Sequence, residues 1–116
     1  VSAVAGAADL AAARRAVAEV PVADVVLAYM VDLCRATRSA PSVELGASPR
    51  GATALLNAAK ARAWLGGRDY VTPDDVKAVA RAALRHRIRL RHEAELEGAT
   101  ADSVLEALLA TVPSPR

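Results

Sequence analysis

The sequence has no phenylalanine, and aromatic residues make up only 3% of its 116 positions. A core must therefore be built from Ala, Val and Leu, whose small side chains let helices approach closely. The single cysteine, Cys34, excludes an internal disulfide and any multi-cysteine metal site, and it fits a reducing compartment. No run approaches the roughly 18 apolar residues of a membrane span, and the start lacks a charged-then-apolar leader pattern. The formal net charge is +2, too small by itself to argue for a nucleic-acid partner. No Gly-x-x-x-x-Gly-Lys-Ser/Thr occurs, so the pair Gly66-Gly67 reads as a helix stop and not as a phosphate loop. What these absences leave is a cytoplasmic, helical protein.

Hydrophobic residues reach 53%, enough for one domain of this length to remove roughly 60–70% of its unfolded surface from water. An Ala-rich helix is expected over residues 7–19, with Asp9 early and Arg14 and Arg15 late, the order a helix dipole favours. After the break at Pro21, Val22, Val26, Tyr29, Met30 and Leu33 recur at helical spacing to about Arg38; this stripe reads as core, as does Cys34. Thr72-Pro73-Asp74-Asp75 is a strong helix start, with Thr72 as cap, Pro73 at the first helical position and Asp75 at the capping-box position. Its two aspartates have no further acid or histidine at ligand spacing, so no metal site is expected. A last helix is expected after Thr100, with Val104, Leu105, Leu108, Leu109 and Val112 on its apolar face.

The chain is organised around Gly46-Ala47-Ser48-Pro49-Arg50-Gly51. Ser48 is a candidate cap, and Pro49 suits the first helical position because its missing N–H costs nothing there. Arg50 then falls in the first turn of a helix whose apolar face is Ala52, Leu55, Leu56, Ala59 and Ala63. A cation in that turn faces the positive end of the dipole, an arrangement unfavourable by roughly 0.3–1 kcal/mol. A bound anion removes the conflict, since helix N-termini take phosphate and a guanidinium adds forked donors. An arginine whose stem simply carries its charge into water satisfies the same pattern.

The segment from Arg85 to His92 is the most basic part of the chain. It lacks the interleaved aromatics on which bases stack, and Glu93, Glu95 and Glu97 offset it at once. Ile88 and Leu90 alternate with Arg87, Arg89 and Arg91, which marks a short extended piece. One function open on these residues is a freestanding helical module that binds nucleic acid or an acidic protein through this segment.

Taken together, Ala36-Thr37-Arg38, Leu45-Gly46-Ala47-Ser48-Pro49-Arg50, the run from Gly67 to Val76 and His86-Arg87-Ile88 resemble the C-terminal helical lid of MoxR-type AAA+ ATPases. The resemblance covers nearly all of residues 1–116 and implies an all-α lid of about five helices. Starting at Val1 and not at Met, the chain is expected to be a fragment of a longer ATPase whose core precedes it. The resemblance also implies that Arg50 is the sensor-2 arginine, reaching the γ-phosphate of ATP held with Mg²⁺ by that core. Ser48 and Pro49 would aim it. Implied partners are the core of the same chain, neighbouring subunits of a hexameric ring and a client protein, in chaperone-like assembly. The phosphate loop, Mg²⁺-holding acids and arginine finger of such ATPases are missing from these residues, so the fragment alone is expected neither to hydrolyse ATP nor to bind it tightly.

Overall fold

Helix propensity, proline breaks and two capping boxes divide the described residues into six helices and a two-stranded clip. In the computed structural model, which describes residues 1–115, α1 spans Ala7–Ala18, α2 Asp24–Ser39, α3 Pro49–Leu65, α4 Pro73–Leu84, α5 His92–Leu96 and α6 Ala101–Thr111. Strands β1 (Val43–Leu45) and β2 (Arg89–Leu90) pair antiparallel, Val43 with Leu90 and Leu45 with Arg89, across an irregularity in register. The all-α reading holds. Five of the helices lie where the periodicity places them; the five-residue α5 is additional.

Helices α3 and α4 form the most extensive helix pair. Ala59 and Ala63 of α3 and Ala80 of α4 are fully buried, so two backbones approach where larger side chains would hold them apart. Around them close Val26, Tyr29, Met30, Leu33 and Cys34 from α2, Leu55, Val76 and Leu84 from the central pair, and Leu105 from α6. Each fully buried aliphatic side chain of this set contributes about 1.5–3 kcal/mol. Tyr29 and Met30 are therefore core, as their spacing indicates. The Tyr29 hydroxyl finds no hydrogen-bond partner among the described residues, and burial, with the Asp74 carboxylate adding to it, pushes its pKa up.

The molecule is a slab of 48 × 37 × 20 Å with a radius of gyration of 15.9 Å, against about 13 Å for a rounded globule of this length. Part of that spread comes from α1, which buries no residue and lies against α3. It is tied there by the Lys60 ammonium, which donates to the Ala18 carbonyl at 3.1 Å.

The turn from α3 to α4 shows how local chemistry sets the central pair. Gly66 caps α3, and Gly67 takes φ +76°, a conformation only glycine adopts freely. Thr72 caps α4: its hydroxyl accepts from the Asp75 N–H at 3.3 Å, while the Asp75 carboxylate accepts from the Thr72 N–H at 2.9 Å. Thr72→Ala is expected to destabilise the domain by about 0.5–2 kcal/mol, read as a lower urea midpoint. An unchanged midpoint would remove the cap from the account of this turn.

Candidate functional site

The start of α3 is held from three sides. Thr37, a polar residue buried on the apolar face of α2, donates its hydroxyl to the Cys34 carbonyl at 2.6 Å and accepts from the Ala47 N–H at 2.9 Å. Gly46 lies directly on the last turn of α2. A Cβ on it would stand 2.6 Å from the Arg38 N and Cα and 2.5 Å from Arg38 Cγ, so only glycine permits this approach. Gly51 is buried on the far side, where a Cβ would meet Leu84 Cδ2 of α4 at 3.4 Å and Arg87 Cδ at 3.6 Å. The β1–β2 pairing completes the frame by tying the chain after α4 to the chain before α3, with the Arg91 N–H donating to the Ser42 carbonyl at 2.8 Å.

On that frame Pro49 occupies the first turn of α3, as its fixed φ favours. Ser48 is the N-cap residue by backbone conformation, φ −79° and ψ 173°, but its side chain makes no capping bond. Only its carbonyl engages the helix, accepting from the Gly51 N–H at 2.8 Å. Helix entry is thus set by Pro49, Gly46 and the Thr37 staple, and no side chain caps the first turn, where Pro49 has no N–H and the Gly51 N–H is held by the Ser48 carbonyl. Arg50 is exposed, with no carboxylate within 4 Å among the described residues. A cation at a helix N-terminus that no side chain caps is the arrangement that an anion relieves. Gly46 belongs to the stretch singled out in the sequence, but its packing on Arg38 is not legible there; nor is the bond by which Thr37, which enters only through the family resemblance, holds Ala47, although a threonine four residues past Leu33 on an apolar face is a detectable signal.

The basic segment is divided among different tasks. Arg85 Nε lies 3.4 Å from Asp102 Oδ1, and Arg81 just before it lies 3.4 Å from Glu106 Oε2, both acids on α6. Arg91 Nε donates to the Pro41 carbonyl at 3.1 Å. Part of the positive charge thus fastens α4 and the chain after β2 to their neighbours.

The paired aspartates also serve structure. Asp75 is 1% exposed and receives both Arg68 guanidinium nitrogens, at 2.6 and 2.5 Å. Burial alone would raise its pKa, but the Arg68 fork and the Thr72 N–H and hydroxyl outweigh that and hold it below the ordinary carboxylate range. Among the described residues, no group of three or more His, Cys, Asp or Glu side chains is placed to hold a metal ion. An apolar groove of about 310 Å³ between α1 and α3, lined by Leu10, Val17, Ala61 and Trp64, lies well along α3 from Arg50. No helix among the described residues is long and apolar enough to cross a membrane.

Residues 35–108, which span the α2 end, the Arg50 turn and α4 through most of α6, match the AAA lid domain family. The chain belongs to that family. The lid is 42% identical over 102 residues to YeaC of Bacillus subtilis, covering 88% of this chain and 32% of that protein. It is 39% identical over 74 residues to chaperone MoxR1 of Mycobacterium tuberculosis, covering 64% of this chain and 20% of the relative. A crystal structure of a candidate ATPase from Cytophaga hutchinsonii superposes with a TM-score of 0.88 at 34% identity, over 94% of the lid and 36% of that chain. These likenesses place the domain among the lids of MoxR-type AAA+ ATPases. The lid spans about a third or less of the length of each of these three proteins.

Proposed function

We propose that this lid senses the γ-phosphate of ATP through Arg50 and couples nucleotide binding and hydrolysis to chaperone-like assembly of a client protein. The observation that carries the reading is the exposed Arg50, without a carboxylate partner among the described residues, on a helix start whose backbone is fixed by Gly46, Thr37 and Gly51. ATP and Mg²⁺ would be held by an AAA+ core in the same chain, and neighbouring subunits of a hexameric ring would supply the remaining contacts. In this arrangement Arg50 offers two planar donors to phosphate oxygens, and the N-terminal end of the α3 dipole adds to the same positive field. A fork on a rigid slab grips the nucleotide and releases after hydrolysis, which turns chemistry into rotation of the whole lid. The segment that bears the charge need not move relative to its own domain. The Mycobacterium tuberculosis relative carries the name chaperone, which supports action on a client protein as the output.

In the full-length protein, Arg50→Ala is expected to lower ATP turnover at least about tenfold while leaving helicity unchanged. Arginines that stabilise a transferring phosphoryl group from a fixed position are worth about 10³–10⁵, and one on a moving lid contributes a smaller share. Arg50→Lys should recover only part, since it keeps the charge and loses the fork. Steady-state hydrolysis by assembled protein, with circular dichroism on both variants, decides the matter. Wild-type turnover in the alanine variant would return Arg50 to the solvated surface.

A further inference from the structure

Two more arginines are brought to the entry of α3 by backbone packing. Arg38, in the last turn of α2, is pressed on Gly46, four residues before Arg50. From the other side the stem of Arg87, in the turn after α4, passes Gly51, so that a Cβ there would lie 3.6 Å from Arg87 Cδ. The stems of Arg38 and Arg87 thus reach, from two other parts of the chain, the segment that carries Arg50, and all three residues are exposed. Among the described residues no carboxylate oxygen lies within 4 Å of Arg38, Arg50 or Arg87, whereas Arg62, Arg68, Arg81 and Arg85 each have one. Glu44, the acid nearest Gly46 in sequence, sits on β1 and pairs with none of them.

Three arginine-bearing positions packed on one segment without a counter-charge add their positive charge to that of the helix end. The folded chain keeps them together by the glycine contacts and the Thr37 staple. We infer that Arg38 and Arg87 are phosphate-binding residues that flank Arg50 and complete a cradle for the triphosphate of the nucleotide. The inference rests on Arg50 facing that phosphate chain. It extends the contact from one guanidinium to three, a number suited to a ligand whose charge is spread over several phosphoryl groups. It also gives the two glycines a function: they bring the flanking stems within range.

The test uses the full-length ATPase with Arg38→Gln, Arg87→Gln and Arg50→Ala, titrated with the β,γ-imido analogue of ATP and with ADP. Glutamine keeps the Cγ that rests on Gly46 and most of the stem that passes Gly51; lysine variants replace any glutamine variant with a lowered melting midpoint. Each flanking substitution is expected to weaken the triphosphate analogue at least about fivefold and ADP less than about twofold, with partial recovery by lysine. Equal losses for both ligands overturn the inference and mark the residues as structural. If Arg50→Ala impairs turnover while both flanking variants bind like wild type, the cradle is wrong and Arg50 acts alone. If Arg50→Ala is neutral while the flanking variants lose the triphosphate selectively, the sensor reading of Arg50 falls and the flanking pair carries the phosphate contact.

Discussion

Asp75→Ala is expected to cost the domain about 2–4 kcal/mol, enough to shift the urea midpoint severalfold beyond error. The side chain is buried and takes part in the α4 capping box, the Arg68 fork and a long-range contact with Arg62 Nε at 3.9 Å. Loss of a cap alone accounts for about 0.5–2 kcal/mol, and hydrogen bonds to a buried charge are worth about 1.5–3 kcal/mol each way the pair is counted. The sum falls toward the low side of the about 3–5 kcal/mol of a fully buried broken pair because the Arg68 side chain is 34% exposed and regains water when its partner is removed. Folding lowers the Asp75 pKa, so the stabilisation is complete above the unfolded carboxylate range near 3.9 and fades as pH falls through the lower, folded value. Asp75→Asn should therefore be less stable than wild type at neutral pH, with the gap closing in strong acid. A constant gap from neutral to acid, measured by urea titration at each pH, would show that the charge contributes nothing and the packing everything.

Much of this turn was legible because its causes are local. Thr72, Pro73 and Asp75 are neighbours in sequence, and caps depend on three or four consecutive residues. Gly66 and Gly67 stop α3 for equally local reasons. Long-range pairing was not legible. Arg68 reads as one more surface cation until the fold sets it on Asp75, and Arg81 and Arg85 read as a basic run until α6 arrives with Glu106 and Asp102. The alternation of Ile88 to Arg91 announced an extended piece, but its partner, Val43–Leu45, lies more than forty residues earlier. Helix α5 was missed because His92–Leu96 is a single turn and more with no apolar stripe to give a period. At the candidate site, Pro49 behaved as its covalent geometry dictates, whereas the Ser48 hydroxyl did not cap, since capping also requires a rotamer the sequence does not specify.

Gly46→Ala is expected to destabilise the lid by about 2–5 kcal/mol and, in the full-length ATPase, to impair turnover as Arg50→Ala does. Gly46 has an ordinary negative φ, so the requirement is for space and not for backbone freedom. The new methyl carbon would lie 2.5–2.6 Å from Arg38 atoms, two of them backbone, which cannot swing aside as the end of a side chain can. Either the last turn of α2 or the approach to α3 must retreat. Overpacking of this kind costs about 1–3 kcal/mol, and retreat also breaks the bond from the Ala47 N–H to Thr37 Oγ1, leaving buried polar groups unsatisfied for about 1–3 kcal/mol more. Gly51→Ala is the matched control. Its methyl group would meet Ala47 Cβ at 3.1 Å, a tight contact but not the overlap of 2.5–2.6 Å at Gly46, and it gains helix propensity of about 1 kcal/mol, so its net cost should be smaller. The same retreat carries Arg50 with the helix start, which is why stability and turnover should fall together at Gly46. Urea titration of both glycine variants, alongside ATP hydrolysis at a temperature where each remains folded, separates the two effects. A Gly46→Ala protein as stable and as active as wild type would mean that α2 and α3 tolerate separation and that the position of Arg50 is not set by their contact.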